Sequence, residues 1–315
     1  MNRIRLGRTA AQVSELCFGT MTFGNEADEA ESGRIYAACR DAGVDFFDCA
    51  DVYAGGDSEL ILGRLIADHR DEVFITSKVG MGALKGASRG VVRTACEASL
   101  RRLGVERIDL YFIHQWDTEA PIEETLRALE DLRASGKINY LGCSNFAAWQ
   151  IAKANGIATR EGLAPFEVLQ PMYNLIKRQS EVEILPLALS EDLGVISYGP
   201  AAGGLLTNKY AAGVEGRFTA RKDYQGRYDD AYFHETAASF AALAGELGVD
   251  PMTLSVAWAK RHPAISAPII GARSVEQLKP SLAAADFEMD DALYDRVTAL
   301  SKTPPPATDR LEEQR

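Results

Sequence analysis

The sequence predicts a (β/α)8 barrel of the TIM type, preceded by an N-terminal β-hairpin and carrying extra helices near its C-terminus. Three observations lead there. Eight short apolar runs recur along the 315 residues, each followed by a segment with helical spacing. The runs lack clean polar alternation, as parallel strands buried on both faces must. The rival, a doubly wound dinucleotide domain, lacks its fingerprint: Gly80-Met81-Gly82 has Lys85 where the third glycine belongs.

Residues 3–6 and 11–15 flank Gly7-Arg8-Thr9 and read as the hairpin. The first barrel strand is 16–20. The helix over 29–42 follows, with Ile35, Ala38, Cys39 and Ala42 in step and Gly43 as its stop. Strand 44–48 leads into helix 57–68, capped by Asp57 or Ser58. Strand 73–79 precedes helix 88–102, and strand 108–113 precedes helix 121–135. Strand 138–143 is followed by a helix near 146–157, then by strand 166–170, helix 180–193 and strand 195–199. Helices near 231–247 and 252–261 come before the eighth strand, 267–270. Helices 274–285 and 290–301 end the fold, so that residues 1–315 read as one barrel domain with 303–315, opening on Thr303-Pro304-Pro305-Pro306, as a tail.

Two connections stand apart. Residues 155–166 form a small Gly-containing insertion. Residues 200–230 form a long loop with five glycines (Gly203, Gly204, Gly213, Gly216, Gly226) and the cations Arg217, Arg221, Lys222 and Arg227. A loop of this length in a compact domain is functional or disordered.

Composition narrows the function. Apolar residues are 46% and charged residues 25%, ordinary for a globular chain. A net charge of −11 supplies no basic field for phosphodiester backbones, which argues against a nucleic-acid partner. The start, Met1-Asn2-Arg3-Ile4-Arg5, has no signal-peptide apolar region, and no run approaches a membrane span. The five scattered cysteines, without a Cys-x-x-Cys, suit reduced thiols and a cytoplasmic location. The four histidines show no metal-ligand spacing, so no metal is expected.

In a barrel the C-terminal ends of the strands form one face, where catalytic groups collect. The second strand ends in Asp48 with Tyr53 just beyond, the third in Lys78, the fourth in His114. The later strands offer Ser144-Asn145, Gln170 and Tyr198. A lysine closing an apolar strand needs an anion, and Asp48 on the adjacent strand supplies one. That pair alone is equally compatible with a structural ion pair. A neighbouring phenol changes the weighing: the cation is expected to lower the Tyr53 pKa from roughly 10, making it usable as a general acid or base. His114 is either a satisfied core histidine or a polarising group at the same corner. Asp51 reads as a solvated or capping residue, and Trp116 as either a pocket wall or a packing residue.

These residues carry a resemblance over nearly the whole chain to the aldo-keto reductases, NAD(P)(H)-dependent oxidoreductases on the same barrel. Phe47-Asp48-Cys49-Ala50-Asp51-Val52-Tyr53 resembles the family's first motif, and Lys78 and His114 complete its Asp-Tyr-Lys-His tetrad. The resemblance implies that Ser144, Asn145 and Gln170 hold a nicotinamide carboxamide and that Tyr198 stacks on its ring. It places Thr20 at the cofactor site, Gly199, Pro200, Ala201 and Lys209 around the pyrophosphate, and Gly271, Arg273 and Gln277 at an adenosine 2′-phosphate. Cys49, Gly199 and Ala201 depart from the usual Thr or Ser, Ser and Leu. Pro280 and Ser281 replace a Glu-Asn pair that often contacts adenine. Arg273 favours NADPH, with NADH as the alternative.

The implied function is reduction of a small aldehyde or ketone, or the reverse oxidation, with Tyr53 moving the proton. The alternative is a cofactor-binding regulatory protein like the potassium-channel β subunits of the same family, with little turnover. Oligomeric state is not legible in the sequence.

Overall fold

The computed structural model describes residues 1–210, 213, 216 and 222–308, with the backbone alone of Asp223. Arg217, Arg221 and the end of the tail lie outside the described residues. The chain forms the expected (β/α)8 barrel. A hairpin of β1 (Arg3–Arg5) and β2 (Gln12–Ser14) leads into eight parallel strands. These are β3 (Cys17–Gly19), β4 (Phe46–Asp48), β5 (Phe74–Val79), β6 (Ile108–Ile113), β7 (Ile138–Ser144), β8 (Val168–Gln170), β9 (Gly194–Val195) and β10 (Ile269–Ile270). They pair in chain order, with β10 beside β3. Closure runs through backbone bonds from Ser266 N to Val195 O (2.8 Å) and Ile269 N to Ser197 O (2.8 Å).

The period of two along each strand decides which groups reach the mouth. Phe46, Leu110, Phe112, Val168 and Ile196 pack together inside the barrel, with Phe74 against them; Leu6 and Val13 of the hairpin join the same cluster. Stepping two residues on from Phe46 gives Asp48, and from Phe74 gives Thr76 and Lys78. From Phe112 the step gives His114, from Val168 Gln170 and from Ile196 Tyr198. The polar groups are thus the uppermost layer of the barrel's own interior. The opposite parity, Phe47, Ile75, Tyr111 and Ile113, packs outward against the helical layer.

That layer comprises α1 (Glu29–Asp41), α2 (Asp57–Ile66), α3 (Arg89–Leu103), α4 (Ile122–Ala134), α5 (Ala148–Glu161) and α6 (Ile184–Ser190). After β9 come α7 (Lys222–Arg227), α8 (Ala231–Glu246) and α9 (Pro251–Arg261); α10 (Val275–Ala283) and α11 (Asp291–Thr298) follow β10.

Four local expectations need correction. The α2 N-cap is Gly56, at φ 108, a conformation that a side-chain-bearing Asp57 or Ser58 would resist. Residues 155–166 are no insertion: α5 runs through Gly156 to Glu161 and ends at Gly162. The helix expected at 180–193 is only α6, preceded by a 3-10 turn at Gln179–Glu181. The strand expected at 195–199 is reduced to Gly194–Val195, with Tyr198 keeping isolated bridges to Met172 and Ile269 before the chain turns at Gly199 (φ 71).

Candidate active site

At the C-terminal ends of the strands lies a cleft of about 790 Å³, within the range of roughly 300–1,000 Å³ usual for small-molecule sites. Asp48, Tyr53 and His114 line one end. Ser144, Asn145 and Gln170 line the middle, and Tyr198 and the run Gly199-Pro200-Ala201 come next. Lys209, Gly271, Arg273 and Gln277 line the remainder. Two expected residues are placed differently. Lys78 lies beneath the cleft, fully buried. Thr20 is also fully buried; its hydroxyl donates to the Asp48 carbonyl (3.2 Å) and shares a bond with Ser58 (2.8 Å), while Gly19 faces the cleft.

Lys78 organises the closed end. Its Nζ donates to Asp48 Oδ2 (2.7 Å), to the Cys49 carbonyl (2.7 Å) and to Tyr53 Oη (3.2 Å), so all three of its protons have acceptors. Burial works against the charge, but Asp48 and Tyr53 outweigh it and hold the lysine above its ordinary pKa. Asp48 is fixed in turn. Its Oδ1 accepts from Thr76 Oγ1 (2.7 Å) and from Gln170 Nε2 (2.9 Å), leaving Oδ2 to the lysine.

The expectation for Tyr53 had the sign of one contribution right and of the sum wrong. Burial pushes the phenol up to about 12; Lys78 pulls it down but does not win. Tyr53 therefore stays a phenol, a proton donor, through neutral pH. His114 is the converse: burial and the Lys78 charge drive its pKa down to about 3, so the ring is neutral. Its Nδ1 is buried with no partner among the described residues, and the ring stands edge-on to Tyr53 with centroids 6.2 Å apart.

The middle of the cleft is a chain of donors. Tyr198 Oη donates to Asn145 Oδ1 (2.8 Å), and Asn145 Nδ2 donates to the His114 carbonyl (2.8 Å). Ser144 Oγ donates to the Gln170 carbonyl (2.8 Å). Asn145 sits at φ 57, the left-handed region that asparagine tolerates better than most residues, which turns its amide into the cleft.

At the open end Arg273 bonds only Gln277, through Oε1 at 3.3 and 3.4 Å, and has no carboxylate partner among the described residues. Ser274 caps α10 by accepting from Gln277 N. Ser281 lines the cleft with its Oγ buried and without a partner among the described residues. A cation without an anion and an orphaned hydroxyl fit a phosphate-bearing dinucleotide.

Sequence reasoning missed the Thr76 support of Asp48, although its parity with Lys78 was a usable signal. It also misplaced Asp51, which is largely buried against Gly82, with Oδ1 lacking a partner among the described residues. Burial first, and then Glu59, push its carboxyl up to about 6. Glu59 is fully buried and takes Arg102 Nε (2.7 Å) and Ser77 Oγ (2.5 Å). Trp116 packs edge-on to Phe146 (5.2 Å); Gln115 is the residue of that turn that lines the cleft.

A barrel with a neutral histidine and a lysine-backed phenol under one end of a cleft, and an unpaired arginine at the other, has the form of a nicotinamide-dependent oxidoreductase. The sequence matches the model of the Aldo/keto reductase family over residues 15–302, and the chain belongs to that family. It is an NAD(P)H-dependent oxidoreductase by membership. It is 36% identical to "Uncharacterized oxidoreductase YrpG" of Bacillus subtilis, over 90% of this chain and 91% of that one. It is 35% identical to "Probable voltage-gated potassium channel subunit beta" of Oryza sativa, over 96% and 98%. It is 31% identical to "Norsolorinic acid reductase" of Aspergillus flavus, over 92% and 80%. Among the described residues no helix is long and apolar enough to cross a membrane, and no cluster of His, Cys, Asp and Glu has metal-site form.

Proposed function

We propose that the chain is a cytoplasmic carbonyl reductase that uses NADPH to convert a small aldehyde or ketone to an alcohol. Bound NADPH supplies the hydride. The residues of the chain place the carbonyl, polarise it and deliver the proton. The observation that carries the reading is Lys78 Nζ, held between Asp48 Oδ2 (2.7 Å) and Tyr53 Oη (3.2 Å) beneath the cleft floor.

Tyr53 Oη and the neutral His114 ring bracket the place for a carbonyl oxygen. With Nδ1 buried, His114 has only Nε2 to offer it. Donors fixed before the reaction stabilise a developing oxyanion without reorganising. As negative charge gathers on that oxygen, the phenolic proton of Tyr53 moves to it, and Lys78 stabilises the phenolate that remains. Asp48, held by Thr76 and Gln170, keeps Lys78 oriented and balances its charge. Ser144, Asn145 and Gln170 are assigned to the carboxamide, Tyr198 to the ring face, Lys209 and the Gly199–Ala201 run to the pyrophosphate. Gly271, Arg273 and Gln277 are assigned to the 2′-phosphate, with Ser281 as a hydrogen-bonding group nearby. Arg273, free of any described carboxylate, supports NADPH over NADH.

Uncharged residues (Met21, Asn25, Val52, Ala54, Met81, Gln115) share the lining of the cleft with Tyr53, which suits a substrate with an apolar body next to the carbonyl. The channel-subunit reading gains little from the channel-subunit relatives, since their likeness spans the same barrel.

The test is NADPH oxidation against a panel of small aldehydes and ketones, with NADH in parallel. Carbonyl-dependent oxidation, faster with NADPH, is expected. Binding of NADPH with no turnover of any carbonyl would overturn the reading and favour the regulatory one.

A further inference from the structure

The short helix α7 has no part in the barrel, yet it is seated on the site. Tyr224 lies over Gly203: a Cβ added there would stand 2.7 Å from the tyrosine ring. One turn on, Tyr228 is buried. Its Oη meets Asn174 Nδ2 at 3.4 Å, and the same nitrogen donates to the Gly199 carbonyl (2.9 Å). The two tyrosines thus pin α7 at both ends of the Gly199–Gly203 loop. Arg227 lies between the anchors.

Arg227 lines the cleft. Its guanidinium stacks 5.0 Å from the Tyr224 ring centroid, which steers the side chain without neutralising it. Its charge bears on the hydroxyl of Tyr198, which lines the same cleft. It has no carboxylate partner among the described residues, although the chain carries 45 acidic residues against 34 basic ones. Arginines with structural roles here do find acids: Arg102 takes Glu59, and Arg178 takes Glu181. An arginine held by aromatic packing in a cleft and left without an anion is arranged for an anion that arrives with a ligand.

We propose that Arg227 is an anion-binding residue of this cleft, positioned by Tyr224 and Tyr228 to take an oxyanion group from a ligand. Two sources share that chemistry: a phosphate of the dinucleotide, and a carboxylate carried by the carbonyl substrate. The inference rests on the oxidoreductase reading for its ligands, but one arm of its test does not require turnover.

The experiment compares wild type with Arg227→Ala and Arg227→Lys. Circular dichroism checks that each variant is folded. NADPH affinity is read by fluorescence titration, and 2′,5′-ADP and inorganic pyrophosphate serve as competitors. The second arm is kcat/KM for 4-carboxybenzaldehyde relative to 4-methylbenzaldehyde. If the anion is the dinucleotide's, Arg227→Ala weakens NADPH about tenfold, pyrophosphate competes less well, and the aldehyde ratio is unchanged. If it is the substrate's, NADPH affinity holds while the preference for the carboxylated aldehyde falls about tenfold. Arg227→Lys recovers part of either loss, since it keeps charge but not the planar fork. A folded alanine variant within twofold of wild type in both arms overturns the proposal. Wild type that turns over no carbonyl sinks the oxidoreductase reading instead, and the titration arm still decides whether Arg227 holds a phosphate of the dinucleotide.

Discussion

The two ends of the cleft treat charge in opposite ways. Beneath Tyr53 the Lys78–Asp48 pair is buried and satisfied: Lys78 has three acceptors, and Asp48 Oδ1 has two donors. At the other end, and along α7, Arg273 and Arg227 are half-exposed with no described carboxylate. The first arrangement is complete before any ligand arrives, as chemistry that tolerates little reorganisation requires. The second is incomplete by itself and is suited to recognition. Substitutions at the closed end should therefore reach stability and turnover together, and those at the open end should reach affinity alone.

The largest expected effect is at the closed end. Lys78→Met leaves Asp48 buried without its cation, a loss of about 3–5 kcal/mol in unfolding free energy. Turnover should vanish with it. Denaturant titration and a turnover assay measure the two losses. A stable variant lacking only activity would break the contrast.

Thr76→Val keeps the volume and removes one donor to Asp48. Unfolding free energy should fall by about 1–3 kcal/mol. The value of kcat should drop severalfold, with NADPH affinity unchanged. Arg273→Ala at the open end should raise the NADPH dissociation constant about tenfold and leave thermal stability where it was. A melting temperature that falls with affinity would show that Arg273 is structural after all.

The smallest effect is the most diagnostic of burial. Asp51 has a folded pKa near 6 against an ordinary 3.8, so the folded state holds its proton more tightly than the unfolded chain. Ionised Asp51 thus costs stability above about pH 6, and the cost fades as pH falls towards 4. Asp51→Asn should be more stable than wild type at pH 8, by about 1 kcal/mol after allowance for partial exposure. That advantage should disappear near pH 4. An equal gain at both pH values would place its origin elsewhere.

How much of this was legible follows from how local each signal was. The barrel and the convergence of Asp48, His114 and Gln170 were readable because a strand's period of two is written in consecutive residues. Thr76 carried the same parity as Lys78, yet its partner, Asp48 Oδ1, becomes visible only when β4 and β5 are in register. Asp51 was misread for a non-local reason: its raised pKa reflects burial and the charges of Glu59 of α2 and Arg102 of α3, which nothing near residue 51 announces. The Tyr53 pKa was misjudged because sequence shows a neighbouring charge but not the desolvation that outweighs it. Gly156 suggested a loop, but α5 absorbs a glycine at about 1 kcal/mol, a cost that helix packing offsets.

The central claim is that Tyr53, a partly buried phenol kept protonated above Lys78, delivers the proton. Tyr53→Phe removes that proton along with one of the three acceptors of Lys78, and the measurement is its single-turnover rate with saturating NADPH and an aldehyde that wild type reduces. The account predicts a rate lower by about three orders of magnitude, within the range of roughly 10²–10⁴ for a positioned acid, with the NADPH dissociation constant unchanged. A phenylalanine variant that reduces the aldehyde at near wild-type rate would contradict it.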